Sequence, residues 1–322
     1  MTADIHGKTE RLPDFLIVGA ARSGTTSLYN YLRQHPQIFL PDVKEPSFFA
    51  TSETEPHFED ARLRAMGLPV WKLNEYLRLF RAAPEDAILG GASTYYLYFK
   101  NRTIRNIRRY VPGWRDVKII MILRDPVERA LSQYSLNRSL DIEPLPLEDA
   151  LGEAQSRLAE NWIPGYDYIG FGLYYEQVKA YMDAFPRVKV FLFEDLRRDA
   201  LRVVRDIFRF LGVDDSFAPV VGERHNHSRA PKSLLVQRTL RKPNLISSVF
   251  PLARLIPKEK RVAVVRKLAN LNTKKRVKMK ARTRKYLEEL FREDVLRLQG
   301  LIGRDLSGWL EQGEALERPR KG

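Results

Sequence analysis

A glycine-rich loop near the N-terminus has the residue types and spacing best suited to chemistry. It runs from Gly19 to Thr26, with two glycines separated by four residues, a cation at Arg22 and hydroxyls at Thr25 and Thr26. Small residues let main-chain N–H groups close around a phosphate, and a following helix N-terminus adds positive potential. The spacing is that of a Walker A loop, but Thr25 replaces its lysine, which argues against a nucleoside triphosphate. The loop predicts a phosphate site; a purely structural turn is the alternative.

A second polar group follows a later apolar run. Arg124 comes directly after that run, and Ser132 lies two turns into the helix expected next. Arginine suits bidentate phosphate binding, so both side chains are predicted to face one anion. A salt bridge from Arg124 to Asp125 or Glu128 is the alternative. Arg129 is expected on a different face of the helix.

Glu45 is the candidate general base. It precedes Pro46, Phe48 and Phe49, and partial desolvation by these side chains would suit it to that role. A surface glutamate paired with Lys44 is the alternative, and spacing alone favours it.

These residues must be positioned by regular elements. Four β-rich runs, at 15–18, 87–90, 118–123 and 188–193, alternate with helical stretches. Near-continuous apolar strands separated by helices predict a parallel sheet covered on both faces. In such folds ligands bind at the carboxyl ends of the strands, where the polar residues above lie. The predicted fold class is α/β, a P-loop-like parallel sheet flanked by helices, with a basic helical C-terminal region.

One large domain is expected over residues 13–311, between a flexible N-terminus at 1–12 and a flexible tail at 312–322. Within it, a C-terminal helix at 286–311 is expected to pack back. The 322 residues have a net charge of +15, and residues 229–285 hold 19 basic residues and one acidic residue. Charge this concentrated favours an anionic partner, although a solvated helical face is the alternative.

Composition excludes several classes of protein. With no cysteine, the chain has no disulfide framework and no thiolate metal site or nucleophile. No apolar run approaches the roughly 20 residues needed to span a bilayer, and the polar N-terminus lacks the apolar stretch of a secretory signal. We expect a cytoplasmic protein, with peripheral contact to the inner membrane face through residues 229–285 as a further option.

The ordered set of motifs resembles the sulfotransferases that use PAPS (3′-phosphoadenosine 5′-phosphosulfate). The similarity is greatest to the heparan-sulfate-type and bacterial carbohydrate branch. It covers roughly residues 13–225 and 283–310. The segments that carry it are 13–28, 35–36, 44–49, 123–134, 172–174, 193–196 and 301–309.

The resemblance implies transfer of the sulfuryl group of PAPS to an acceptor hydroxyl by in-line displacement, with PAP as product and no metal required. The branch favours a saccharide, glycolipid or other glycoconjugate acceptor. A P-loop nucleotide kinase or NTPase is one alternative. A polyanion- or nucleic-acid-binding protein using residues 229–285 is another, but Phe250 is the one aromatic residue in that span, so nucleic acid is not expected.

The resemblance also assigns residues. Arg22 and Glu45 are the catalytic pair: Glu45 as base, and Arg22 as a fixed charge, because arginine cannot act as a proton donor at ordinary pH. Many members have lysine at the position of Arg22 and a charged pair where Gly91 and Ala92 stand, so the acceptor stays open. The donor-binding residues are Ala21, Arg22, Ser23, Gly24, Thr25, Thr26, Ser27, Arg124, Ser132, Tyr174, Arg229, Lys232 and Ser233. Those expected to contact the acceptor are Lys44, Phe48, Ser93 and Tyr96.

Overall fold

The computed structural model describes residues 1–5, 8–52, 70–222 and 277–310. Its centre is a five-stranded parallel sheet in the order β4-β5-β3-β6-β7. The strands are β3 (Phe15–Gly19), β4 (Ile38–Phe39), β5 (Ile88–Ala92), β6 (Lys118–Leu123) and β7 (Val188–Leu192). The α/β prediction is confirmed. The sequence predicted four of these five strands and missed β4. That strand has two residues, which are too few to show a periodicity.

Helices cover both faces of the sheet. They are α1 (Thr25–Leu32), α2 (Phe48–Thr51), α3 (Leu73–Arg78), α4 (Tyr95–Tyr98), α5 (Lys100–Tyr110), α6 (Pro126–Ser139), α7 (Leu147–Gly152), α8 (Ala154–Ala159), α9 (Tyr175–Ala184), α10 (Phe193–Arg198), α11 (Ala200–Leu211) and α12 (Ala281–Ile302). Successive strand residues point to opposite faces. Leu16 and Val18 of β3 therefore join one apolar cluster, and Phe15 and Ile17 join the other. All four are buried because β3 is the central strand.

The connections create a ligand crevice at one edge of the sheet. The chain passes from β3 to β4 and β5 on one side, and only later reaches β6 and β7 on the other. Such a reversal of strand order opens a crevice outside the carboxyl ends of the strands. The segments after β5, β3 and β6 therefore lie side by side, although they are far apart in sequence.

The segment expected to be a flexible N-terminus contains an antiparallel hairpin of β1 (Thr2–Ile5) and β2 (Lys8–Arg11). Arg11 attaches it to the domain by donating hydrogen bonds to the carbonyl oxygens of Pro84 and Ala87, each at 2.5 Å. These acceptors are more than 70 residues away, so the sequence around the hairpin has no signal for them.

The last long helix, α12, packs against α6 and α9. Leu287, Phe291, Val295 and Leu298 are fully buried along one side, as their helical spacing predicts. Tyr286, one residue before Leu287, is 57% exposed. Of the basic region 229–285, the structure describes only residues 277–285, which lead into α12 and form its first turn.

Among the described helices, none is both long enough and apolar enough to cross a bilayer. The cellular location expected from the sequence stays a prediction.

Candidate functional site

The glycine-rich loop lies between β3 and α1, as predicted. The first intrahelical hydrogen bond of α1 runs from Leu28 N to Gly24 O at 3.0 Å. The N–H groups of the preceding helical residues have no intrahelical acceptor, which makes this end of the helix suited to an anion. Ala21, Arg22, Gly24, Thr26 and Ser27 are half-buried along the loop, whereas Ser23 and Thr25 are buried.

Gly24 is required by the shape of this loop. Its φ is +90°, a conformation that glycine adopts without a steric penalty. A Cβ atom at this position would also lie 2.9 Å from Cδ2 of Phe193, at the start of α10. The loop therefore has two separate reasons to keep glycine.

Arg22 extends from the loop towards α6. Its Nε donates a hydrogen bond to Oγ of Ser132 at 3.1 Å. Burial and the neighbouring charges of Arg124 and Arg129 lower the pKa of Arg22 to about 10. Arg22 thus remains a cation at neutral pH, in a position where positive charges repel one another.

Arg124 follows β6 and contacts the same loop. Its Nη1 donates to the carbonyl oxygen of Arg22 at 3.1 Å, and its Nη2 lies 3.4 Å from Oε2 of Glu128. Its guanidinium also stacks over the ring of Phe193, 4.9 Å from the centroid. The salt bridge to Glu128, which was the alternative to phosphate binding by Arg124, is present, and phosphate binding by the remaining donors stays a prediction.

Arg129 was not assigned to this site, yet it belongs to the same group of cations. Its side chain is fully buried, with Nη2 donating to the carbonyl oxygen of Tyr168. Within the described ranges, Nε and Nη1 of Arg129 have no hydrogen-bond partner. It was expected on a different face of the helix, but Arg129 is three residues before Ser132, and residues three apart share a helical face. That spacing was the available signal.

Tyr174 belongs to the apolar core, and its ring has no exposed surface. Contact of its side chain with a bound nucleotide stays a prediction, and core packing is what the structure describes. Burial raises the pKa of its hydroxyl to about 12, against the opposing effects of Arg129, Ser23 and the main chain of Arg124. The motif is next to the site, but the side chain faces the core.

Glu45 is attached to the end of β5. Its Oε2 accepts hydrogen bonds from Thr94 N at 2.6 Å and Thr94 Oγ1 at 3.2 Å, and its main-chain N–H bonds to the carbonyl oxygen of Ala92 at 3.0 Å. Its Oε1 pairs with Nζ of Lys44. The side chain of Glu45 is 36% exposed, so the desolvation expected from the two phenylalanines is limited. Its orientation is nevertheless fixed.

Three of the four residues expected to contact the acceptor are buried, so their contact with an acceptor stays a prediction that their burial does not favour. Phe48 and Tyr96 are fully buried, and Phe48 stacks on Tyr76 at 4.6 Å. Ser93 is also fully buried, with its Oγ 2.8 Å from Oγ of Ser47. These side chains face the core. They belong to short elements, in which packing against neighbouring elements decides which side chains are buried.

The same segment also contains half-buried residues that sequence reasoning passed over. Thr94 and Tyr95 follow directly after Ser93, and Tyr98 stacks on Phe171 with ring centroids 4.1 Å apart. The one sequence signal for these three residues was their position within two residues of Ser93 or Tyr96, which were predicted to contact the acceptor. Of the four predicted acceptor contacts, Lys44 alone is half-buried.

Arg229, Lys232 and Ser233, also expected to bind the donor, lie outside the described residues. In the part of the chain that is described, no cluster of three or more His, Asp or Glu side chains is arranged to hold a metal ion.

Fold and site together define an α/β protein with a group of arginines at the carboxyl end of a parallel sheet. Arg22, Arg124 and Arg129 converge there, and the buried Arg129 carries donors without partners among the residues described. Buried donors without partners are costly, and an anionic ligand could accept their hydrogen bonds. These residues fit a ligand with phosphate groups.

Comparison with known proteins defines the family. Residues 12–232 match the sulfotransferase domain family, and the chain belongs to that family. A crystal structure of a sulfotransferase from Alicyclobacillus acidocaldarius is 31% identical, with a TM-score of 0.69, and the match covers 93% of this chain and 99% of that one.

Two curated relatives carry the names of the branch that the motifs resemble. Carbohydrate sulfotransferase 15 of Rattus norvegicus is 30% identical over 178 residues, which are 42% of this chain and 30% of that protein. Heparan sulfate glucosamine 3-O-sulfotransferase 6 of Homo sapiens is 26% identical over 230 residues, 69% of this chain and 57% of that protein. The resemblance to this branch is confirmed, although the match spans less than two thirds of either relative.

Proposed function

We propose that this protein transfers the sulfuryl group of PAPS to a hydroxyl group of a saccharide-containing acceptor. The observation that carries the proposal is the convergence of side chains from three adjacent strands. Arg22 follows β3 and contacts Ser132 of α6, Arg124 follows β6, and Glu45 is hydrogen-bonded to Thr94 after β5. Cations for a polyphosphorylated donor thus lie at the same sheet edge as an oriented carboxylate.

PAPS would supply the sulfuryl group and a phosphate leaving group, and the cations of this chain would bind it. The loop and the N-terminus of α1 suit the 5′-phosphosulfate, while Arg124 and Ser132 suit the 3′-phosphate. Arg22 would stabilise the negative charge that develops on the departing phosphate oxygen, which is the type of interaction that lowers the barrier most. Its guanidinium stays charged, so its role is electrostatic.

Glu45 would accept the proton of the acceptor hydroxyl. Two hydrogen bonds from Thr94 fix Oε2, which leaves Oε1, now paired with Lys44, as the oxygen that would face an acceptor. Such prior orientation is valuable because a general base must be within hydrogen-bond reach of the proton that it removes.

Support for a saccharide acceptor comes from the names of the relatives, which include carbohydrate and heparan sulfate sulfotransferases. The half-buried Tyr95 and Tyr98 follow Thr94, which is hydrogen-bonded to Glu45, and they offer both ring surface and a hydroxyl, a combination suited to a ligand with apolar and polar faces. O-sulfation is favoured because a carboxylate base suits a hydroxyl nucleophile.

Two measurements on the full chain test the proposal. Calorimetry should detect binding of PAP and no comparable binding of ATP with magnesium; the reverse result would favour a nucleotide kinase or NTPase. A screen of neutral, anionic and amine-bearing saccharides with radiolabelled PAPS should then give a product in which the sulfuryl group is bound to a hydroxyl oxygen of the saccharide. The Arg22→Ala variant is the blank for the screen. Absence of PAP binding to the wild type would reject the proposed donor.

A further inference from the structure

An ionic relay connects the C-terminal helix to the anion site. Nη2 of Arg284, in the first turn of α12, contacts Oε1 of Glu128 at 2.5 Å. The other oxygen of that carboxylate, Oε2, lies 3.4 Å from Nη2 of Arg124. Arg284 and Arg124 are 160 residues apart in the sequence, yet they share one carboxylate between them.

The relay is largely shielded from water. The side chains of Arg124, Glu128 and Arg284 are 9%, 21% and 11% exposed. Ionic contacts in such surroundings are screened less than those at the surface, so they orient side chains more strongly. Arg284 is itself held by Glu288, whose Oε1 lies 3.7 Å from its Nη1.

The order of charges suggests what Arg284 does. If Arg124 alone neutralised Glu128, that carboxylate would compete directly with a phosphate for the same guanidinium. A second cation on the opposite oxygen shares the negative charge, and Arg124 keeps its Nη1 on the loop carbonyl of Arg22. A carboxylate with two arginine partners attracts each of them less than a carboxylate with one.

We propose that Arg284 is a positioning residue for the 3′-phosphate of the donor: by pairing with Glu128, it keeps Arg124 available to that phosphate. The inference rests on the proposed function and adds a residue of the C-terminal helix to the donor site. Arg284 acts through Glu128 and Arg124.

A simple docking role for Arg284 is separable, because α12 has other polar contacts with the domain. Thr283 Oγ1 donates to Oε1 of Glu148 at 2.8 Å, one residue before Arg284. Asp294 accepts a hydrogen bond from Tyr174 N at 2.7 Å, further along the same helix. Thr283→Val therefore removes a neighbouring docking contact that has no link to Arg124, and it is the matched control.

The test compares PAP with adenosine 5′-phosphate, which lacks the 3′-phosphate, by calorimetry on the full chain. Arg284→Gln should weaken PAP binding about fivefold, the effect of losing one hydrogen-bonded contact, and leave adenosine 5′-phosphate binding unchanged. Thr283→Val should leave the ratio of the two affinities at the wild-type value. Arg284→Lys should retain part of the wild-type ratio, since it keeps the charge.

The double variant Glu128→Gln/Arg284→Gln makes the test specific. Removing the competing carboxylate should restore PAP binding towards the wild-type level. The double variant also has no Glu128 carboxylate left without Arg284, so its folding does not depend on that carboxylate. An equal loss for both nucleotides, or an equal effect of Thr283→Val, would overturn the relay. A wild type that shows no preference for PAP would instead reject the proposed donor, whereas a wild-type preference untouched by Arg284→Gln would reject only this inference.

Discussion

Arg22 Nε donates a hydrogen bond to Ser132 Oγ at 3.1 Å, although 110 residues separate them. The contact joins two predicted anion sites that the sequence presents as separate, the loop after β3 and the helix after β6. Because Arg124 also donates to the main chain of Arg22, the two sites share their cations. Whatever moves Ser132 or Arg124 should therefore change how the loop binds its ligand.

Ser132→Ala removes the acceptor of the Arg22 Nε–H. PAP affinity should fall about fivefold, the usual effect of losing one such hydrogen bond together with the serine hydroxyl that would contact the ligand. Ser139→Ala is the matched control, because Ser139 Oγ donates a hydrogen bond within α6, to the carbonyl oxygen of Leu136 at 2.7 Å. Isothermal calorimetry with PAP measures both variants, and equal affinities would contradict a role for Ser132.

Arg22→Ala should lower kcat/KM by about 10²- to 10³-fold, the range seen when one preorganised electrostatic donor is lost. Arg22→Lys should lie between this variant and the wild type, because lysine keeps the charge but loses the directed Nε contact with Ser132. Steady-state assays with radiolabelled PAPS measure the effect. Full activity in Arg22→Ala would remove Arg22 from the catalytic pair.

Glu45→Gln should lower kcat by about 10²- to 10⁴-fold, because the amide cannot accept the acceptor proton, while PAP affinity stays unchanged. Both hydrogen bonds from Thr94 can still be accepted by the amide oxygen, so the local fold should persist. Glu289→Gln is the control, since Glu289 is a 72% exposed carboxylate on α12. Normal turnover by Glu45→Gln would exclude this residue as the base.

Gly24→Ala should disrupt the loop more than an equivalent change elsewhere. The positive φ alone costs about 1 to 2 kcal/mol, and the contact with Phe193 at 2.9 Å adds to it. Gly303→Ala is a close match, with φ of +61° but no atom within 4 Å of the added Cβ. Urea unfolding should show the larger loss for Gly24→Ala, together with weaker PAP binding. Equal losses of unfolding free energy in the two variants would mean that the side chain of Phe193 moves away from the added Cβ atom without a measurable cost.

Asp125 should make stability depend on pH. Its side chain is 2% exposed, Oδ1 accepts from Val127 N at 2.8 Å, and burial raises the pKa of the carboxyl to about 7. A raised pKa means that the folded state holds the proton more tightly than the unfolded chain. The resulting stabilisation is complete below about pH 4 and is lost as pH rises through about 7.

Asp125→Asn keeps a side-chain acceptor at the helix N-terminus and removes the titration. The free energy of unfolding of the variant, relative to that of the wild type, should therefore rise between about pH 4 and pH 7. Urea titrations at pH 4.5, 6 and 8 measure this difference. A difference that stays constant across the three values would show that Asp125 is not the titrating group.

The phosphate loop and the main strands were predictable from the sequence because they depend on neighbouring residues. Gly19 to Thr26 combine a strand end, small residues and a helix start within eight positions. The apolar runs that became β3 and β6 are buried for the same local reason, whereas β7, at the edge of the sheet, leaves Lys189 exposed. The hairpin at the N-terminus was missed because Arg11 binds carbonyl oxygens more than 70 residues away.

The face of a short segment was much harder to predict. Ser93 and Tyr96 were selected from a motif, but they point into the core, while Thr94 between them holds Glu45. In an α-helix of four residues, such as α4, no periodicity identifies the exposed side. Only the packing of neighbouring elements does so.

The sequence by itself determined the kind of ligand that this protein suits, because loop shape, helix start and residue type are local properties. Tertiary structure alone decided which distant side chains meet at the predicted anion site. Arg22 reaches Ser132, Arg129 is buried near Arg22 and Arg124, and Arg284 pairs with Glu128. Electrostatic contacts depend on distance in space, and distance in space follows from how the strands are ordered in the sheet.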